Sequence, residues 1–184
     1  MQVSILEEHG LDSALMGLGF SYEEETNHLP AVPGYTDKIY KRAVQLAKLD
    51  KGHNKFLEQI QVWSVIRASM AWWKQMDTYR VGISKSSKST MHTLMKSPLK
   101  TWHFTDDVTL ETVRYLENVR QSKNFSKLIA ELPMGYLQTR LVTMSYKNIR
   151  HIITQRREHK LPEWQEFCSF FTDNLKHPEL LGLN

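Results

Sequence analysis

The sequence predicts an α+β fold: an antiparallel or mixed sheet flanked by helices, with more helix than strand. Three observations lead there. Short stretches such as "QVSIL" (2–6) and "LQTRLVTMSY" (137–146) carry the alternation or β-rich content of strands. Longer stretches such as "DDVTLETVRYLENVRQ" (106–121) repeat apolar residues at near-helical spacing. No Gly-x-Gly-x-x-Gly and no Walker A sequence occurs, so nothing suggests a βαβ nucleotide fold.

In chain order, "QVSIL" opens as a strand. "GLDSALMGLGFSYE" (10–23) reads as a helix, with Asp12 early and a glycine near its end. "HLPAVPGYT" (28–36) has two prolines and a glycine and reads as a loop. "TDKIYKRAVQLAKLD" (36–50) puts Ile39, Ala43, Leu46 and Ala47 on one helical face, entered through Thr36 or Asp37 as cap. In "KFLEQIQVWSVIRASM" (55–70), Ile60, Val62 and Ser64 alternate with Gln61, Trp63 and Val65, a strand passing into a helix near Ala68. "KSSKSTMHTL" (85–94) is rich in Ser, Thr and Lys and reads as a loop or a helix start. Residues 106–121 place Val108, Leu110, Val113, Leu116 and Val119 at helical spacing behind acidic residues. "ELPMGY" (131–136) is a turn and residues 137–146 a strand. "KNIRHIITQRREHK" (147–160) and "LPEWQEFCSFFTDNL" (161–175) are helices, the second with Pro162 in its first turn.

A chain of 184 residues suits one domain spanning 1–184. With 41% hydrophobic and 24% charged residues it is globular rather than disordered. No apolar run approaches the ~20 residues of a bilayer crossing, so no membrane partner is expected. "MQVSILEEHG" lacks the basic and apolar regions of a signal peptide, which points to the cytoplasm. The single cysteine, Cys168 in "EFCSFF", excludes an internal disulfide framework and reads as a small buried hydrophobe. A net charge of +4 fits an anionic ligand at one site and is weak support for nucleic-acid contact. The histidines show no metal-ligand spacing, and neither His-Glu-x-x-His, Cys-x-x-Cys nor Gly-x-Ser-x-Gly occurs, so no metal site is expected.

Two stretches carry candidate chemistry. "WWKQMDTYR" (72–80) sets Gln75, Asp77, Tyr79 and Arg80 close behind Trp72 and Trp73, and asks for an apolar wall beside an arginine fork. It runs on through Lys85, Ser86, Ser87, Lys88, Ser89 and Thr90, which read either as a phosphate cradle or as a solvated loop. In "RHIITQRREH" (150–159), Ile149, Ile152 and Ile153 form a stripe past which Arg156 reaches into a cleft, with His159 three residues on; the other reading is a basic helix exposed to water.

Taken in order, these pieces resemble the flavin-dependent thymidylate synthase family, most of all its short, divergent branch in bacteriophage genomes. "HNKFLE" (53–58) is similar to the segment before that family's central strand. "WWKQMDTYRVGISKSSKST" (72–90) resembles its signature, Gln, two residues, Arg-His-Arg, seven residues, Ser. "ELPMGYLQTRLVTMSYKNIRHIITQRREHKLPEWQEF" (131–167) resembles its C-terminal half. The resemblance implies methylation of dUMP, or hydroxymethylation of a deoxypyrimidine monophosphate as a close variant. FAD is the implied cofactor, NADPH and methylenetetrahydrofolate the implied co-substrates, and a homo-oligomer, a tetramer by preference, the implied assembly. It further implies Gln75 and Arg156 as catalytic residues; Gln75, Ser87, Lys88, Ser89, Arg140 and Arg156 on the nucleotide; and His53, Tyr79, Arg80, Ser145, Lys147 and His159 on the flavin. Trp72 and Trp73 become an apolar wall beside the flavin or at the subunit interface. The chain departs from the signature: the triplet is Thr78, Tyr79, Arg80, eight residues separate Arg80 from Ser89, position 91 is methionine, and only Lys127 stands near the Leu-Pro turn. The alternative reading is a catalytically retired homologue that keeps a basic cleft for a nucleotide or a partner protein.

Overall fold

A computed structural model describes residues 1–22, 30, 32–50 and 52–183. Four strands, β1 (Gln2–His9), β2 (Gln61–Ser69), β3 (Ile83–Ser87) and β4 (Leu137–Ser145), form one sheet in the order β1-β2-β4-β3. All pairings are antiparallel. The helices are α1 (Leu11–Gly19), α2 (Asp37–Ala47), α3 (Met70–Met76), α4 (Thr90–Thr93), α5 (Leu110–Gln121), α6 (Phe125–Ala130), α7 (Tyr146–Arg156) and α8 (Pro162–Asn174). Among the described residues none is long and apolar enough to cross a membrane. Of the expected loop 28–36, residues 28, 29 and 31 lie outside the described residues, as does the last residue of the expected helix 10–23.

The period-2 pattern decides which face of the sheet is covered. On β2, Val62, Ser64, Ile66 and Ala68 are buried, while Gln61, Trp63, Val65 and Arg67 on the opposite face are half-buried. On β4, Val142 and Met144 join the buried face. That core continues into Trp72, Trp73 and Met76 of α3, the Ile149, Ile152 and Ile153 stripe of α7, and Trp164, Phe167, Cys168 and Phe171 of α8. Burial pushes the Cys168 thiol up to about 11, so it behaves as a hydrophobe. A second apolar cluster, with Leu94, Leu99, Phe104, Val113, Leu116, Leu128 and Tyr136, holds α5 and α6 against the turn that precedes β4.

Side-chain caps fix three helix starts that bear on the site. Ser69 accepts from Trp72 N–H at α3, Thr36 from Ile39 N–H at α2, and Ser145 from Asn148 N–H at α7. Two corrections to the sequence reading follow. Residues 85–87, expected in a loop or helix start, are β-strand: among the described residues β3 is an edge strand paired only with β4, Ser87 opposite Arg140. Its one-sided pairing explains its polar composition. Trp72 and Trp73, expected as an accessible wall, are wholly buried. Their rings meet edge to face at 4.8 Å, and Trp72 stacks towards Trp164 and Phe167. They are the floor beneath the site rather than a surface for a ligand.

Candidate functional site

Three chain ends converge on one corner of the molecule. They are the C-terminal end of α3, which runs into Asp77, Thr78, Tyr79 and Arg80, the C-terminal end of α7, and the first turn of α8. Gln75 sits in the last turn of α3, Arg156 in the last residue of α7, and Trp164 near the start of α8. The Trp164 indole N–H donates to Gln75 Oε1 at 2.8 Å, and Arg156 donates to the same oxygen at 3.4 Å. Arg156 Nε donates to the Tyr79 hydroxyl at 2.8 Å, and that hydroxyl donates to Gln155 Oε1 at 2.8 Å. The Arg156 guanidinium lies 5.0 Å from the Trp164 ring and 5.5 Å from the Tyr79 ring. His151 approaches the edge of Tyr79, and His159 approaches Trp164.

The electrostatics of this corner are one-sided. Arg156 is half-buried, yet no carboxylate pairs with it among the described residues. Its bonds go to neutral oxygens through Nε and one terminal nitrogen. The other terminal nitrogen and Gln75 Nε2 have no protein acceptor among the described residues. A partly desolvated guanidinium without a counter-ion among the described residues, flanked by a free amide donor and an aromatic edge, can receive a carbonyl-rich or anionic planar group.

Behind it, a second cluster fixes the loop after α3. Asp77 takes two bonds from one terminal nitrogen of Arg140, at 2.8 and 3.0 Å, and lies 3.3 Å from Lys85 Nζ. Lys85 also donates to the Met76 and Tyr79 carbonyls, at 2.8 and 3.0 Å. Burial holds the Lys85 ammonium below its ordinary value, partly offset by Asp77. Arg140 also donates to Gln138 Oε1 at 2.9 Å and lies over the Trp73 ring at 4.2 Å. Gly82, at φ 69°, turns the chain into β3; a Cβ there would stand 3.1 Å from Asn148 Oδ1.

The fold compares directly with solved structures. Thymidylate synthase X from Helicobacter pylori with FAD and dUMP superposes with a TM-score of 0.77 at 19% identity, covering 98% of this chain and 97% of that one. A second structure of the H. pylori flavin-dependent thymidylate synthase, complexed with FAD and dUMP, gives 0.75 at 20% identity over 98% of each chain. No family model and no curated protein sequence matches the chain. The fold is that of thymidylate synthase X.

Of the residues singled out in the sequence, the fold brings together Gln75, Tyr79, Arg156 and His159. Arg80 stands exposed beside them, its Nε 3.5 Å from the Asp77 carbonyl oxygen. Arg140 is spent on Asp77 and Gln138 rather than open to a ligand. Ser87 and Lys88 are exposed at the end of β3, and the Ser89 hydroxyl caps α4 by accepting from His92 N–H at 3.3 Å. Ser145 is buried, with its hydroxyl tied to Asn148. Lys147 pairs with Glu58 at 2.6 Å, and His53 is exposed ahead of the Lys55–Glu58 turn. Ser145 and Lys147 lie at the opposite end of α7 from Arg156, about 15 Å away at 1.5 Å per residue. Trp164, which orients Gln75, was not singled out from sequence, and Asp77, which anchors the loop, was noted beside Gln75 and Arg80 without a role. The tryptophan in "LPEWQEF" was visible, but its partner lies 89 residues away.

Proposed function

We propose that the chain carries out flavin-dependent one-carbon transfer onto a deoxypyrimidine monophosphate, with methylation of dUMP as the simplest form and hydroxymethylation as its variant. The observation that carries this reading is the Arg156 guanidinium beside Gln75, without a carboxylate partner among the described residues, in a fold shared along nearly its whole length with two structures of the H. pylori synthase with FAD and dUMP. The uracil edge and the pyrimidine end of a flavin both present carbonyl oxygens around a ring N–H. The free terminal nitrogen of Arg156 and Gln75 Nε2 are the donors such an edge needs, so the residues fit.

Gln75 and Arg156 hold and polarise the pyrimidine, with Trp164 and Tyr79 fixing their orientation. Tyr79, Arg80 and His159 border the flavin in this reading. When bound, FAD supplies the redox chemistry, with NADPH as electron source and methylenetetrahydrofolate as carbon source. Ser145 and Lys147, a helix length away, and His53 meet the far end of a long cofactor or the site of a second copy. Ser87, Lys88 and Ser89 meet the nucleotide across such a junction, and Arg140 supports it by holding Asp77. The assembly is accordingly a homo-oligomer, a tetramer by preference, working in the cytoplasm (the host's, for a phage-encoded chain).

The test starts with colour. Purified protein, alone or after added FAD, should absorb near about 450 nm through the bound isoalloxazine. It should then form dTMP or a hydroxymethyl nucleotide from dUMP, methylenetetrahydrofolate and NADPH. A colourless protein that ignores FAD yet binds dUMP would instead support a retired synthase fold that keeps a nucleotide cleft. One observation favours that second reading: Thr78 and Tyr79 stand in place of the Arg-His of the signature, and Arg80 is exposed without a carboxylate partner among the described residues.

A further inference from the structure

A cavity of about 360 Å³ lies between β4, α4 and the Thr101–His103 turn, away from the Gln75–Arg156 corner. Its lining includes Arg67, Lys88, Lys96 and His103, and no carboxylate among the described residues. None of Arg67, Lys88 and Lys96 forms an ion pair among the described residues, whereas Lys85, Arg120, Arg140, Lys147 and Arg150 all do. Arg67 is anchored from behind, donating to the Trp102 carbonyl and lying 5.3 Å from the Trp102 ring. That ring is 58% exposed and stacks on His103 at 3.7 Å. His103 Nδ1 accepts from Lys100 N–H at 3.0 Å, so the neutral ring carries its proton on Nε2 as a donor. The volume falls at the small end of the range for ligand sites.

We propose that this cavity is a phosphomonoester pocket, in which Lys88, Lys96 and Arg67 supply the charge, His103 a further donor, and Trp102 a flat wall for the group the phosphate carries. Cations gathered around one concavity with no carboxylate partner among the described residues make the local potential positive and favour an anion there, with anchored aromatic rings at its rim. Burial first, and then Arg67, Lys88 and Lys100, hold the His103 ring below its ordinary value, which fits an uncompensated positive field. The pocket rests on the nucleotide-binding reading only for the identity of its ligand. It assigns Arg67, Lys96, Trp102 and His103 to phosphate recognition and makes good the cations lost from the signature. Gln138 connects the two regions: it donates to Thr90 at the cavity wall and accepts from Arg140.

The experiment is a histidine NMR titration of the full chain, with His103→Ala used to assign the resonance, alongside calorimetry. The probes are inorganic phosphate, dUMP and deoxyuridine. Phosphate and dUMP should bind saturably and raise the His103 pKa, because an anion then faces the ring in place of Arg67, Lys88, Lys96 and Lys100 alone. Deoxyuridine should leave it unmoved. A Lys88→Ala, Lys96→Ala double variant alters two exposed side chains, so it keeps the fold. It should weaken dUMP about tenfold or more and remove the His103 response. Arg156→Ala should leave the phosphate response intact. A His103 pKa that ignores both phosphate and dUMP overturns the pocket. So does full dUMP affinity in the double variant, and if Arg156→Ala then loses affinity, the Gln75–Arg156 reading stands without it. The reverse pattern, with the lysines essential and Arg156 indifferent, keeps the pocket and removes that reading. Tighter binding of a thymidine oligonucleotide lacking terminal phosphates than of dUMP would also overturn it.

Discussion

The Trp164 indole N–H donates to the Gln75 carboxamide oxygen at 2.8 Å, and this one bond ties the start of α8 to the end of α3. Trp164 is wholly buried, so without Gln75 its N–H has no water to turn to. Gln75→Met should therefore cost about 1–3 kcal/mol of stability, the penalty for stranding a buried donor. Gln75→Glu keeps the acceptor and should recover most of that loss. It also sets a carboxylate against Arg156, so it should weaken binding of dUMP. Denaturant midpoints and dUMP titrations of both variants separate the two effects. Equal stability of wild type and Gln75→Met would show that the bond does not support the corner.

Asp77 is the counter-ion for both Arg140 and Lys85. Asp77→Ala leaves two poorly exposed cations unpaired, at roughly 1–3 kcal/mol, towards the lower end because Asp77 itself is half exposed. Hydrogen exchange should also quicken across residues 77–82, since Lys85 no longer holds the Met76 and Tyr79 carbonyls against a fixed anion. Unaltered exchange in a destabilised variant would confine the role of Asp77 to stability.

Glu117 gives the pH dependence a defined sign. The Arg120 guanidinium, which donates to it at 2.6 and 2.7 Å, holds its carboxyl down at about 2, aided by the Leu99 N–H and Gln121. A carboxyl with a depressed folded pKa contributes stability above its unfolded value of about 4.5 and loses it as pH falls towards about 2. Glu117→Gln should be less stable than wild type at pH 7, and the gap should close between pH about 4.5 and 2. A gap that persists at low pH would assign the effect to packing around Leu99 instead.

The centre of the fold was legible because β2 announces itself by alternation and β4 by its β-rich content, α5 and α7 by apolar stripes, and α8 by Pro162 in its first turn. The edge strand β3 was not. "ISKSS" holds one apolar residue, and its conformation is set by pairing with residues 140–144 rather than by its own pattern. The adjacent tryptophans misled for a related reason. Neighbours on a helix point about 100° apart, so Trp72 faces Trp164 and Phe167 of α8 while Trp73 faces Gln138 and Arg140 of β4. A short helix packed on both sides buries both. Arg156 could be picked out because it follows the Ile149, Ile152 and Ile153 stripe. Its setting of Gln75, Tyr79 and Trp164 depends on separations of 77 to 89 residues that no local pattern encodes.

Calorimetric titration of dUMP into the wild-type chain and into Arg156→Ala tests the corner most directly. Ile149, Ile152 and Ile153 bury α7 without help from the arginine, so the variant should fold with a near-normal thermal midpoint. Its dUMP affinity should fall about tenfold or more, the worth of a lost charge-assisted hydrogen bond. Arg156→Lys should recover little, because an ammonium cannot reproduce the planar fork that reaches Gln75, Tyr79 and a ligand together. Equal dUMP affinity across wild type, Arg156→Ala and Arg156→Lys would contradict a nucleotide site at Gln75 and Arg156 and leave only the fold in common with thymidylate synthase X.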